Sequence, residues 1–206
     1  MSGPSRRTLA RRLEAVADFS EPSASLEQYL TPADLAAHVC HLAGLHDDLD
    51  RPVLDLGTGT GMLAIGASLA GAERVVGVDV DPDALALAGR NAAAVGTGPI
   101  EWVRGDAIRH PFALTDGTVI SNPPFGAQHG NRHADRAFLE ATAEIAAVSY
   151  TIHNEDSQSF VESFAADHSA TVTHAFRAPL PIGNRFDFHT RSEQTLDAEV
   201  FRIEWR

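Results

Sequence analysis

DLGTGTG, residues 55 to 61, joins two segments of opposite character. PVLDL (52 to 56) before it is short, apolar and strand-like, and GMLAIGASLAG (61 to 71) behind it has the length and apolarity of a buried helix. A strand that breaks into alternating glycines and re-forms as a helix opens a parallel α/β unit, because parallel strands need a helical crossover and the turn needs residues without a Cβ. The alternation continues along the chain. RVVGVDV (74 to 80) reads as a strand, PDALALAGRNAAAV (82 to 95) as a helix and IEWVRGD (100 to 106) as a strand. GTVISN (117 to 122) is a strand, a helix is predicted from about 134 to 146, and AVSYTIH (147 to 153) is a strand. A further helix (156 to 167) and two last strands near 170 to 178 and 197 to 205 complete the pattern. Upstream, Leu9, Leu13 and Val16 give an amphipathic helix within 5 to 17, and Thr31-Pro32 predicts a helix start with Thr as the cap. The whole predicts an α/β fold: one domain over 1 to 206, with a seven-stranded, mainly parallel sheet covered by helices on both faces and a C-terminal antiparallel hairpin.

Ligands of open α/β sheets bind at the carboxyl ends of the strands. Gly57, Gly59 and Gly61 let a ligand approach the backbone, but Asp55 is a poor neighbour for a pyrophosphate. A cationic ligand suits it. S-adenosylmethionine carries a sulfonium and an ammonium group, so the loop with Asp55 points to that cofactor rather than to a dinucleotide. Asp79, about 20 residues beyond the glycines, is placed to accept from both ribose hydroxyls. Asp106 and Ala107 end the third strand, where a carboxylate can accept from the adenine amino group and an amide can donate to a ring nitrogen.

NPPF, residues 122 to 125, stops the fourth strand with two residues that cannot donate to a ladder. Methyl transfer to a planar amine needs the nitrogen lone pair aimed at the donor carbon. Asn122 and the Pro123 carbonyl supply two acceptors for an NH₂ group, and Pro123 with Pro124 fixes their backbone. Phe125 offers a face for a ring, a contact worth about 1–3 kcal/mol for a stacked base.

Composition limits the alternatives. Among the 206 residues, 28 are acidic and all 16 of the Lys+Arg count are arginine, for a net charge of −12. Without lysine there is neither a Walker-type phosphate loop nor a Schiff base. An acidic surface ordinarily opposes nucleic acid, but in molar salt the Debye length falls to about 3 Å and short contacts decide. A lysine-free acidic chain is what the cytoplasm of a halophilic archaeon would favour. No stretch approaches the roughly 18 apolar residues of a membrane span, so a soluble, cytoplasmic protein is expected. Cys40, the single cysteine, falls on the apolar side of DLAAHVCHLAG and reads as a buried structural thiol. His129 and His133 lie in a Gly/Asn loop without further ligands, so no metal is expected. His153 and His189 read as structural residues or RNA contacts.

SLEQYLTP (25 to 32), DLGTGTGMLAIGA, VGVDVDPDAL, NPPFG with DRAFL (135 to 139), YTIH (150 to 153) and FDFH (186 to 189) resemble the methyltransferase-like protein 5 family. The resemblance covers nearly the whole chain. It implies a class I, Rossmann-like methyltransferase that uses S-adenosylmethionine to methylate N6 of an adenosine in small-subunit ribosomal RNA, with a small zinc-containing activator subunit. It also implies that residues 5 to 50 form a helical and lid segment in which Gln28, Tyr29 and Thr31 close over the cofactor. Gly57, Gly59, Thr60, Gly61, Met62, Asp79, Val80, Asp106 and Ala107 would line the cofactor, and Asn122 to Phe125 would hold the adenine. Leu30 stands where the family usually has proline, and FDFHTR lacks the family's lysines. Arg132, Arg136, Arg185, His189 and Arg191 are the candidates to contact RNA in their place. The activator would sit on the edge strand 100 to 104, including Trp102, unless that ring packs under a helix. Other readings of the residues remain: protein glutamine-N5 methylation of the release-factor type, DNA adenine-N6 or guanine-N2 methylation, or a catalytically silent RNA-binding subunit.

Overall fold

The computed structural model describes residues 3–110, 112, 116–124, 134–182 and 194–205. Its centre is β1 (Val53–Leu56), all four residues of which are buried, as a strand covered on both faces requires. β1 pairs in parallel with β2 (Val75–Asp79) on one side and with β4 (Gly117–Ser121) on the other. β3 (Glu101–Arg104) lies beyond β2, and β5 (Ala146–Asn154) lies beyond β4. The closing hairpin of β6 (Thr171–Ile182) and β7 (Gln194–Glu204) inserts β7 antiparallel against β5, giving the order β3-β2-β1-β4-β5-β7-β6. The predicted seven-stranded α/β sheet is thus observed. Both hairpin strands extend further toward their connection than the sequence pattern suggested.

Among the described residues the α-helices are α1 (Arg6–Leu13), α2 (Ala33–Leu45), α3 (Met62–Ala70), α4 (Pro82–Val95), α5 (Ala134–Ile145) and α6 (Gln158–Asp167). Sequence explains several ends. Ser5 caps α1 by accepting from the Thr8 amide at 3.3 Å, and Asp81 caps α4 by accepting from Asp83 at 2.9 Å, with Pro82 in the first turn. One expected start is different: Pro32 occupies the cap position of α2 and no side chain caps it, because the Thr31 hydroxyl is turned to Asn122.

One core layer packs α1, α2 and α3 on the sheet through Leu9, Leu13, Leu35, Val39, Ile65 and Ile152; the other packs α5 and α6 through Leu139, Ile145, Val161, Phe164 and Phe201. Cys40 is buried in the first layer with its thiol directed at the Leu63 carbonyl, 3.6 Å away, and burial pushes the thiol far up, as a structural role requires.

A charged cluster ties the hairpin to the N-terminal half. Asp48, 1% exposed, accepts from Tyr150 Oη (2.6 Å), Arg202 Nε (2.8 Å) and a terminal Arg202 nitrogen (3.1 Å). Arg202 also donates to Thr173 Oγ1 at 2.7 Å and pairs with Glu204.

β3 is an edge strand, as expected, but Trp102 is only partly exposed. Its ring lies across Gly77, where a Cβ would collide with it, and a Cβ on Gly61 would come within 3.0 Å of it. Gly89 of α4 leaves room for the indole nitrogen. Small residues on β2 and α4 therefore draw Trp102 under the helix, behind the glycine loop.

Candidate active site

The strands around β1 end at one level: Leu56 is in register with both Val78 and Ser121, and Asp79 with Arg104. The turns that follow β1, β2, β3 and β4 therefore converge above the point where strand order reverses. There they enclose a cavity of about 400 Å³. Gln28, Tyr29, Thr31, Asp55, Gly57, Gly59, Thr60, Met62, Asp79, Val80, Asp106, Ala107, Asn122 and Pro124 all line it. Gly61 does not line it; at φ +82° it supplies the left-handed turn that starts α3, a conformation that favours glycine.

Asp55 is 1% exposed and half satisfied. Its Oδ2 accepts from Thr58 Oγ1 at 2.6 Å and the Ala64 amide at 2.9 Å, whereas Oδ1 is buried with no partner. Burial raises its pKa to about 7 against the pull of the Thr58 and Ala64 hydrogen bonds, and the charge of Asp79 adds to the rise. Asp79 binds the loop by accepting from the Gly59 amide at 2.8 Å and from the Asp81 amide at 3.0 Å. Burial raises it too, opposed by those amide bonds. Asp106 accepts from the Ile108 amide at 3.0 Å, which folds the turn after β3. Among the described residues, no Arg lines this cavity. Four carboxylates, Glu27 with Asp55, Asp79 and Asp106, and a buried oxygen lacking a donor fit a ligand that brings positive charge and hydroxyl or amine donors, and would repel a pyrophosphate.

Asn122 follows β4 directly. Its Oδ1 accepts from Tyr29 Oη at 2.9 Å and its Nδ2 donates to Thr31 Oγ1 at 3.0 Å. Gln28 anchors the same segment: Nε2 donates to Asp81 Oδ2 at 2.7 Å, and Oε1 accepts from the Ser23 amide at 2.8 Å. Burial pulls the Asp81 carboxyl upward, but the hydrogen bonds from Gln28 and from the Asp83 and Ala84 amides win and hold it below its usual range.

Several lining residues escaped the sequence reading. Phe19 and Phe138 close on the glycine loop, within 3.2 Å and 3.4 Å of where a Cβ on Gly59 and Gly57 would sit. Val80 and Ile108, 44% and 41% exposed, follow the two strand-end acidic turns and give the cavity apolar sides for a flat heterocycle. Thr58 is the donor to Asp55 described above. Only Val80 was anticipated as a lining residue; Ile108, placed directly after GDA, and Phe138, within DRAFL, carried a signal, and Phe19 carried none.

Arg136 is on α5 but not at the cavity. Its Nε pairs with Glu140 at 2.9 Å and its guanidinium lies 5.4 Å from the centre of the Phe164 ring. His153 is 1% exposed and bonded to Thr151 Oγ1 at 2.9 Å; burial lowers its pKa to about 4 despite Asp135 and Glu199, so it is a neutral structural residue. Phe125, His129, Arg132, His133, Arg185, His189 and Arg191 lie outside the described residues. Among those described, no group of three metal-ligating side chains occurs and no helix is long and apolar enough to cross a membrane.

Residues 34–148 match the family model of the methyltransferase small domain. An uncharacterized protein of Methanocaldococcus jannaschii is 34% identical over 208 residues, covering 97% of this chain and 94% of its own. The rRNA N(6)-adenosine-methyltransferase Mettl5 of Drosophila melanogaster is 30% identical over 204 residues, covering 96% and 95%. Among solved structures, a Pyrococcus horikoshii chain provisionally described as an RNA methyltransferase superposes with a TM-score of 0.87 at 35% identity, over 98% of each chain.

Proposed function

The chain belongs to the methyltransferase small domain family, and we propose that its reaction is transfer of a methyl group from S-adenosylmethionine to N6 of an adenosine in RNA, in small-subunit ribosomal RNA. The observation that carries this reading is that Asn122 lines the same cavity as Asp55, Asp79 and Asp106. An amide acceptor for a planar amine thereby stands beside a pocket whose charge suits a sulfonium nucleoside. The likeness to the Drosophila rRNA adenosine methyltransferase over 96% of the chain supports the choice of acceptor.

When bound, the cofactor supplies an electrophilic methyl group. Asp55 would face its cationic part, Asp79 its ribose hydroxyls, and Asp106 with the Ala107 amide its adenine, between Val80 and Ile108. Asn122 Oδ1 and the Pro123 carbonyl accept from the target NH₂, aim its lone pair and stabilise the positive charge that develops on nitrogen. Pro123 and Pro124 hold that geometry, and Phe125 stacks on the target ring. No tuned base is needed, since the alkylated nitrogen gives its proton to water. The activator subunit would add to the free edge of β3 through backbone bonds, with Glu101 and Arg104 as the exposed side chains; a chain that is soluble, monomeric and fully active alone removes that partner.

Labelled S-adenosylmethionine, ribosomal RNA from a deletion strain and protein extract, at molar salt to suit the charge of −12, test the acceptor. Label is expected in N6-methyladenosine; transfer only to a protein glutamine overturns the reading. Asn122→Ala should abolish turnover and leave donor affinity within about threefold. Unchanged turnover would remove Asn122 from the mechanism.

A further inference from the structure

Both ends of the Asn122 amide are held by hydroxyls from one segment, Tyr29 on Oδ1 and Thr31 on Nδ2, 93 and 91 residues away in sequence. Those contacts are not a by-product of local turn geometry. Thr31, one residue before the cap position of α2, turns its hydroxyl to Asn122, and the helix start has no side-chain cap. Gln28 docks the segment on α4 independently, through Asp81.

An asparagine amide is nearly symmetric in shape and opposite in chemistry at its two ends. Only the oxygen can accept from an incoming amine; a flipped amide would present NH₂ to NH₂. Two hydroxyls tolerate either orientation unless they differ in strength. They do differ: a phenol donates more strongly and accepts more weakly than an alkyl alcohol, and burial keeps the Tyr29 phenol protonated far above its usual range. Tyr29 therefore gives to Oδ1 and Thr31 takes from Nδ2. One lone pair of Oδ1 stays available, because an amide oxygen accepts twice.

We propose that Tyr29 and Thr31 are positioning residues for the methyl acceptor, fixing the Asn122 amide so that its oxygen meets the incoming amine. This rests on the reading of Asn122 as the amine acceptor. The same segment lines the donor cavity, so docking it over the donor and arming the acceptor side are one event. Turnover then depends on Tyr29 even when the donor site is full.

The test begins with the unmodified protein, saturating labelled S-adenosylmethionine and ribosomal RNA from a deletion strain. Label in N6-methyladenosine secures the acceptor independently of any variant. If label goes instead to another planar amine, the function reading fails and the same variants are measured on that acceptor. Y29F and T31V are expected to lower kcat about 10–100-fold, while the Kd for S-adenosylmethionine, by calorimetry, stays within about threefold. T31S should recover most of the turnover lost in T31V, since it restores the hydroxyl. A segment that merely covers the cofactor would move Kd and leave kcat at saturation alone; that result, or a Y29F enzyme with unchanged kcat, overturns the proposal. Should Y29F fail to fold, the contrast between T31V and T31S decides.

Discussion

Asp48 and Asp55 are equally buried, each 1% exposed, and lie on either side of the start of β1, yet their surroundings are opposite. Asp48 meets a guanidinium through both oxygens and a phenol besides. Asp55 has one hydroxyl and one amide on the same oxygen, and nothing on the other. A buried charge costs several kcal/mol unless paired, so each arrangement must be explained. At Asp48 the fold supplies the compensation itself. At Asp55 it withholds it, beside a cavity, which is the condition of a carboxylate that completes its shell with a ligand's positive charge.

The most damaging way to break this contrast is to make Asp48 resemble Asp55. Arg202→Met leaves buried Asp48 with only the partly exposed Arg51 guanidinium, 3.5 Å away, as a counter-charge, and a loss of about 3 kcal/mol is expected. In a chain of this size that lowers Tm by roughly 6–12 °C in calorimetry. Asp48→Asn in the same chain should return part of the loss, because the stranded charge is gone. An unchanged Tm in the single variant would mean that Arg202 contributes nothing net.

The converse change makes Asp55 indifferent to a cation. Asp55→Asn keeps the shape, and the amide oxygen can still accept from Thr58 and Ala64. Affinity for S-adenosylmethionine should fall about 10–100-fold by calorimetry, whereas the ligand-free protein should unfold at the same temperature or higher, since a desolvated charge has been removed. Weaker binding together with a lower Tm would place Asp55 with Asp48, as a residue of the fold.

The two aspartates also differ in how plainly the sequence announces them. Asp55 sits in a strand–glycine–helix unit whose parts are adjacent, so its position at a strand end and its conflict with a phosphate can be read from seven residues. Asp79 and Asp106 repeat the pattern, and the α/β alternation carried the sheet with it. Asp48 is one acid among Asp47, Asp48 and Asp50, and its partner Arg202 is 154 residues away on an ordinary alternating strand. Nothing local selects that pair. The same limit explains the misjudged helix start at Thr31, whose hydroxyl is claimed by Asn122, and Trp102, whose course is set by the absence of side chains at Gly77 and Gly61.

A pH series tests Asp55 by a smaller effect. A carboxyl raised in the folded state to about 7, against about 3.9 when unfolded, penalises the ligand-free fold progressively between those values and fully above them. Stability contributed at this site is therefore lost as pH rises from about 4 to about 7. Binding of a cationic donor runs the other way, because it favours the ionised form: affinity should rise about tenfold between pH 6 and pH 8 as the carboxyl ionises. In the Asp55→Asn protein that rise should flatten, and if it persists, another group governs it.

The smallest change removes one hydrogen bond from the satisfied aspartate. Tyr150→Phe takes away the 2.6 Å bond to Asp48 Oδ2 and the hydroxyl that accepts from Arg202 Nε at 3.1 Å, but leaves both bonds from Arg202 to Asp48 in place. A loss of about 1 kcal/mol is expected, with donor affinity and turnover unaffected, because the guanidinium still neutralises the charge. Measured by urea unfolding, a loss approaching that of Arg202→Met would show that the phenol, not the cation, keeps Asp48 buried. The distinction between the two aspartates would then rest on hydrogen-bond count rather than on counter-charge, and the free oxygen of Asp55 would ask its ligand for a donor of any kind, not specifically for a cation.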